Sequence, residues 1–512
     1  MCEVEENISQ DLEAVEPASS IGQTCMKCKE ASAVLIIRVG DAFCRSCFKE
    51  YFVHKFRAML GKNRVVFPGE KVLLAYSGGP SSNAMVQQVQ EGLSRDAPKK
   101  LRFIPGILFI DEGAVCNQSW EDRERTMSEI ENILKATSFP FHILSLEQLF
   151  TLPQTMLQMN LAEIPKRDGS YKQAVGSFLG QQKAQAEDGV SDAADRLTQI
   201  HIADNSSVEC SQSAAFSRPA AEHTAALRDM FNSAKTLTAK QELLHLLRNH
   251  LILHVARTHG YSKVMSGESC TRLAVRLLSN ISLGRGAFLP LDTGFSDNRY
   301  GDVVIVRPMR DYSLKEISFY NRLFNVPSVF IPALDTKASG NSSIQHLSES
   351  FITKLQADFP STVSTVYRTS EKLHVSRTDT TQPKNQQDKC LLCMCTLDTH
   401  TGPASAFFAT QKSQQLSEKK SLKNVPSAKD SEKQCCNGGQ CCKESASCTN
   451  SVTGTQDIVH LLCYSCRVTI KDLNSMDKLP SYILKEAEHR TRRMEMRKEI
   501  EEFLLDDHSE DI

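Results

Sequence analysis

A continuous apolar run, Lys71-Val-Leu-Leu-Ala-Tyr76, ends in the polar turn Ser77-Gly78-Gly79-Pro80-Ser81-Ser82 and passes into Asn83-Ala-Met-Val-Gln-Gln-Val89, where apolar residues recur at helical spacing. The unbroken run predicts a strand buried on both faces, and the change of period predicts a helix after the turn. Further strands are expected at Leu101 to Phe109, Phe141 to Ser145, Lys263 to Met265 and Val303 to Arg307, with helical patterns between them. That alternation predicts an α/β fold, a doubly wound and mostly parallel sheet with helices on both faces, over residues 63–360. Before it, Phe48 to Leu60 reads as a helix with its aromatics on one face. Leu237 to His259 is a long helical pattern whose His245, His250 and His254 fit the edge of a core better than a ligand set. Ser481 to Glu501 is a helix rich in arginine that gives way to an acidic end.

Composition divides the rest. Residues 1–20 are acidic and read as disordered, 21–62 as a cysteine-bearing module with the basic helix, 159–234 as a partly helical insertion in the sheet domain, 361–389 as a linker, 390–470 as a second cysteine module with a disordered insertion at 396–459, and 471–512 as a charged helical tail. No apolar run is long enough to span a bilayer, and the start is acidic rather than a basic, apolar leader, so a soluble protein of the cytoplasm is expected. A net charge of −1 means that any nucleic-acid surface is a local patch.

Eighteen cysteines in a reducing compartment suit metal ligation better than disulfides. Cys25-Met-Lys-Cys28 and Cys44-Arg-Ser-Cys47 have the spacing of a four-thiolate zinc site, and four cysteines close the coordination shell, so the role expected is structural. Cys390-Leu-Leu-Cys393 and Cys463-Tyr-Ser-Cys466 form a second such set across a long polar stretch, which closure entropy tolerates because it grows slowly with length. Cys435, Cys436, Cys441, Cys442 and Cys448 sit inside that stretch and have no role assigned. Zinc is the metal expected, with iron the alternative that four thiolates also accept. Lys55, Arg57, Lys62 and Arg64 form a basic stripe that suits either a phosphate backbone or a solvated helix face. In the turn after the first strand, two glycines and the hydroxyls of Ser77, Ser81 and Ser82, at the positive end of a helix, suit a phosphate cradle or an ordinary strand-to-helix connection.

The turn resembles the Ser-Gly-Gly-x-Asp-Ser pyrophosphatase loop of the ATP-dependent ligases and tRNA thiolases of the adenine nucleotide alpha hydrolase-like family, with Pro80 and Ser81 where the thiolases carry lysine and aspartate. Phe109-Ile-Asp-Glu-Gly113, Gly267-Glu-Ser-Cys-Thr-Arg-Leu-Ala274 and Val306-Arg-Pro-Met-Arg310 with Tyr312-Ser-Leu-Lys-Glu-Ile317 fall on further motifs of that family, across most of residues 20 to 360. Thr271 and Arg272 replace its paired aspartates, Phe330-Ile-Pro-Ala-Leu-Asp335 lacks its second cysteine, and the insertion holds only Cys210. Cys116 and Cys270 lie nearer the crevice and read as buried structural thiols. The pattern is similar to the non-catalytic partner subunits of cytosolic tRNA 2-thiolation complexes.

This resemblance implies a heterodimer with a catalytic pyrophosphatase-loop thiolase, no catalytic residues in this chain, tRNA as substrate, and sulfur from a thiocarboxylated ubiquitin-like carrier. The product implied is 2-thiouridine at the wobble position (mcm5s2U) of tRNAs such as those for Lys, Glu and Gln. Ser77, Gly78, Gly79, Ser81 and Ser82 would form a degenerate nucleotide cradle, with ATP entry left open. Two other readings stand beside it: an independent AMP-forming tRNA ligase or sulfurtransferase, and a zinc-binding scaffold with no nucleotide or RNA role.

Overall fold

The computed structural model describes residues 22–37, 40–94, 100–158, 171–187, 216–339, 342–359, 361–373, 389–397 and 458–500. The expectations for residues 1–20, for Cys210, for Cys435, Cys436, Cys441, Cys442 and Cys448, and for the acidic end after residue 500 lie outside the described residues.

A two-stranded antiparallel ribbon, β1 (Leu35–Ile36) and β2 (Ala42–Phe43), precedes helix α1 (Arg45–Asn63). There follow β3 (Lys71–Tyr76), α2 (Pro80–Leu93), β4 (Ile104–Asp111), α3 (Trp120–Ala136) and β5 (Phe141–Ser145). Helices α4 (Tyr171–Glu187), α5 (Ala221–Ser233) and α6 (Leu237–Thr258) lead to β6 (Lys263–Ser266) and α7 (Cys270–Ser282). The short α8 (Leu289–Thr293), β7 (Ser296–Asp297), β8 (Val304–Val306), α9 (Leu314–Leu323), α10 (Ile344–Asp358) and α11 (Thr362–Thr369) come next, then α12 (Tyr464–Lys471) and α13 (Ser481–Glu499).

The main sheet has the order β5-β4-β3-β6-β8-β7, parallel throughout except for the edge strand β7. β3 lies between β4 and β6, and Val72, Leu73 and Leu74 are fully buried, as a continuous apolar run in a two-sided sheet requires. β4 bears Gly106 where a Cβ would lie 2.1 Å from the Tyr261 hydroxyl, so only glycine lets the β6 side approach this closely. β7 is short and polar and carries no periodic signal, which is why pattern reading passes over it. The stretch expected as a linker from residue 361 opens with α11, which buries Val363 and Tyr367 against α7. The far end of the expected insertion is also core, because α5 buries Leu227, Met230 and Phe231. Among the described residues no helix is long and apolar enough to cross a membrane.

Both cysteine-bearing ends are built into this core. On α1 the buried residues Phe48, Phe52, Phe56 and Met59 recur at helical spacing. Phe52 stacks on Tyr320 of α9 with centroids 4.0 Å apart and meets Tyr312 at 4.4 Å, while the Tyr312 hydroxyl donates to the Phe52 carbonyl at 2.5 Å. Glu316 closes the capping box of α9 through Ser313 and also accepts from Lys55 at 2.6 Å and Tyr51 at 2.8 Å. At the other end, His250 of α6 bridges the Tyr482 hydroxyl and the Leu392 carbonyl, each at 2.7 Å, tying α13 and the Cys390 turn to one helix.

This packing predicts that Phe52→Ala costs about 3–5 kcal/mol, the usual range for emptying a buried aromatic site. Urea unfolding followed by circular dichroism should show α1 melting with the sheet, and a separate early transition confined to the first cysteine module would contradict it.

Candidate functional site

The two four-cysteine sets are brought together as the spacing predicts. The sulfurs of Cys25, Cys28, Cys44 and Cys47 lie within 4.8 Å of one another, and so do those of Cys390, Cys393, Cys463 and Cys466. Sulfurs at about 2.3 Å around one tetrahedral zinc stand about 3.8 Å apart; Cys28 to Cys44 is 4.0 Å and Cys393 to Cys463 is 3.5 Å.

The two sets share one construction. In each, the first pair lies on a knuckle whose following residue, Lys29 or Met394, adopts the left-handed conformation and donates its N–H to the first cysteine's carbonyl. In each, the second pair opens a helix, with Cys44 or Cys463 at the N-cap. Four soft donors suit zinc or iron and leave no open position for chemistry. They differ in setting: all four C-terminal ligands are buried, whereas Cys28 of the first set is partly exposed.

The predicted phosphate loop stands at the carboxyl end of β3, where open α/β sheets bind ligands. Gly78 has φ +75°, Gly79 is the N-cap of α2, and Pro80 occupies its first position. The Asn83 amide donates to the Gly78 and Gly79 carbonyls at 2.6 and 2.9 Å, and the Val329 N–H donates to the Gly78 carbonyl at 3.1 Å. Ser82 is spent inside the loop: it is buried, donates to the Gly79 carbonyl at 2.9 Å and accepts from the Ser77 N–H at 3.3 Å. Ser77 is exposed, with its hydroxyl donating to Ser82 Oγ at 3.3 Å, and Ser81 is half-buried. Ile331 lies over the loop, its tip 3.0 Å from where a Gly78 Cβ would stand.

The carboxylates at the neighbouring strand ends are all engaged. Asp111 accepts from Arg123 at 2.7 Å, and Arg123 in turn forks onto Glu147 at 2.8 and 3.0 Å. Glu112 pairs with Arg248 of α6, and Glu268 bridges Arg276 at 2.5 Å and Arg307 at 2.7 Å. Thr271 is buried and Arg272 exposed where the resembling enzymes carry aspartates. Burial, then the charges of Glu112 and Asp111, pushes the Cys116 thiol up to about 12, and burial with Glu316 pushes Cys270 up to about 11. Thiols in such surroundings stay protonated and are poor nucleophiles at neutral pH.

The basic stripe divides. Lys55 is only 16% exposed and spans the Tyr312 ring and Glu316, so its charge serves packing, while Arg57 is half-buried and Lys62 and Arg64 are exposed. Sequence reading passes over Cys395, which accepts a hydrogen bond from Arg299 at 3.0 Å, and the buried Arg285 and Arg299. The one signal for Cys395 is its place two residues after Cys393; Arg285 carries none, since Glu242 and Ser465 lie far away in the chain, and Arg299 has only Asp292 and Asp297 nearby.

Residues 343–468 match the family model described as Cytoplasmic tRNA 2-thiolation protein 2. Cytoplasmic tRNA 2-thiolation protein 2-A of Xenopus laevis is 61% identical over 99% of this chain and 99% of its own length. The proteins named Cytoplasmic tRNA 2-thiolation protein 2 of Danio rerio and Homo sapiens are 55% and 50% identical, each over 99% of this chain and over 99% and 98% of their own lengths. Among solved structures, the U34-tRNA thiolase NcsA from Methanococcus maripaludis with its 4Fe-4S cluster matches with a TM-score of 0.44 at 14% identity, covering 70% of this chain and 92% of that one. With this identity to its relatives over nearly its whole length, the chain belongs to the cytoplasmic tRNA 2-thiolation protein 2 family.

Proposed function

We propose that this chain is the non-catalytic subunit of a cytoplasmic complex that 2-thiolates the wobble uridine of tRNAs such as those for Lys, Glu and Gln (mcm5s2U formation). It pairs as a heterodimer with a pyrophosphatase-loop thiolase that takes sulfur from a thiocarboxylated ubiquitin-like carrier. In that reaction ATP adenylates the uridine C2 oxygen, making it a leaving group that sulfur replaces. The observation that carries the assignment of roles is the crevice itself: a phosphate loop beside carboxylates that are each held by an arginine, with the nearby thiols raised to about 11 and 12. Among the described residues, Asp111, Glu112 and Glu268 are not free for magnesium and neither Cys116 nor Cys270 is a ready sulfur nucleophile, so recognition and assembly remain to the site.

The two four-cysteine groups hold zinc as structural centres, and Ser77, Gly78, Gly79 and Ser81 keep the shape of a cradle that ATP enters weakly if at all. Lys62 and Arg64, with Arg57 beside them, offer the phosphate backbone of tRNA its contact on α1. The units are the sheet domain of residues 63–360 and the cysteine modules at 21–62 and 390–470.

Reconstitution tests the reading directly. With a cysteine-bearing thiolase, ATP, sulfur carrier and tRNA, omission of either protein should abolish 2-thiouridine, and turnover by this chain alone would make it an independent ligase. Elemental analysis should find one zinc per four-cysteine group, with Cys25→Ser and Cys463→Ser each losing one; iron in place of zinc would overturn the metal assignment. Lys62→Ala with Arg64→Ala should weaken tRNA binding by the complex and lower the slope of log affinity against log salt by about 1 for each phosphate no longer neutralised. Lys55→Met should leave that slope unchanged.

A further inference from the structure

A line of buried charged groups joins the C-terminal cysteine set to the crevice. Cys395, two residues beyond Cys393, is buried and returns the knuckle on itself, since its carbonyl accepts from the Cys390 N–H at 2.8 Å. Its sulfur accepts from Arg299 Nη1 at 3.0 Å. The same guanidinium donates through Nε to Asp297 at 2.9 Å and pairs with Asp292. The other carboxylate oxygen of Asp297 faces Arg307 at 3.8 Å, and Arg307 donates to Glu268 at 2.7 Å. Glu268 then reaches Arg276. Glu268 adjoins Gly267, which packs so closely on the phosphate loop that a Cβ there would lie 3.0 Å from the Ser81 carbonyl oxygen.

Each member is fixed by more than one partner. Lys389 donates to the Arg299 carbonyl at 2.6 Å, and Arg307 donates to the carbonyls of Leu291 and Gly294, both at 3.0 Å. Arg299 and Arg307 expose only 8% and 4% of their side chains, and Asp297 only 2%. In such surroundings a charge that loses its partner is costly, so displacement of one member is passed to the next instead of being absorbed by water.

We propose that Arg299, Asp297, Arg307 and Glu268 are positioning residues that couple the C-terminal metal centre to the phosphate-loop crevice. The knuckle holds Cys395 against Arg299 only while its ligand pair is in place, so the metal fixes the two crevice arginines, Arg307 and Arg276, and the crevice in turn steadies the knuckle. The N-terminal set is not part of this line, and neither is the Glu112–Arg248 pair on the other side of the crevice. The inference rests on the metal reading of the four-cysteine sets.

Metal release from the purified full chain, followed with a chromophoric chelator, tests the coupling at a distance. Wild-type protein should release its two metals in two phases, assigned with Cys25→Ser and Cys463→Ser. Asp297→Asn and Glu268→Gln, which keep side-chain size, should accelerate only the C-terminal phase, by about 2- to 30-fold, the span of coupling seen along such networks. Arg307→Lys, which keeps the charge, should show a smaller acceleration, and Glu112→Gln should show none. Wild-type release rates in Asp297→Asn and Glu268→Gln would overturn the coupling, as would equal acceleration in Glu112→Gln or in the N-terminal phase. A wild-type chain that carries no metal would sink the metal reading instead, so the two failures are distinguishable.

Discussion

The crevice exists because two strand-end turns touch. β3 and β6 are neighbours in the sheet, and the turn after β6 presses Gly267 so close to the backbone of Ser81 and Ser82 that a Cβ would stand 3.0 to 3.1 Å from it. That contact brings the amino ends of α2 and α7 to the same edge and sets Glu268 beside the phosphate loop. A residue larger than glycine at position 267 would push backbone against backbone, where no side chain can yield. The geometry of the cradle therefore depends on the sheet and on one glycine, and needs no ligand to hold it.

Charge is handled in the same self-contained way. In a site built for magnesium and pyrophosphate, acids stand unpaired until the metal arrives. Here Asp111, Glu112 and Glu268 are each held by arginine, and a position that resembles a metal-binding aspartate carries exposed Arg272. Breaking a pair as buried as Asp111 with Arg123 typically costs about 3–5 kcal/mol, because the partner is left charged and poorly solvated, and the more exposed pairs cost less. A nucleotide would have to offset that cost before gaining anything from the loop, which favours a crevice kept for its shape.

Much of this is legible in the sequence wherever the signal is local. Apolar runs locate five strands, β3, β4, β5, β6 and β8, the change of period at Ser77 locates the loop, and the paired Cys-x-x-Cys turns locate both four-cysteine sets. What escapes is set by contacts between distant segments. Lys55 looks like one more cation on a basic helix until Glu316 of α9 comes to meet it, and Ser82 looks like a phosphate ligand until its hydroxyl turns back on Gly79. His250 reads as an edge histidine, yet its two hydrogen bonds join segments more than a hundred residues away in sequence. The two-residue strand β7 gives no pattern at all, because its place comes from antiparallel pairing with β8 and not from its own composition.

The two cysteine sets show how one construction serves two mechanical ends. Each combines a knuckle with a helix that starts at its third cysteine, so local geometry is the same. The first set hands its helix to an aromatic stack, Phe52 on Tyr320, and to the buried pair of Lys55 with Glu316. The second is enclosed by α6, α12 and α13 and meets the sheet through His250, Arg285 and Arg299, donors whose directions are strict. In the coupling proposed above, a displacement of the second knuckle is carried through Arg299 to Asp292 and Asp297.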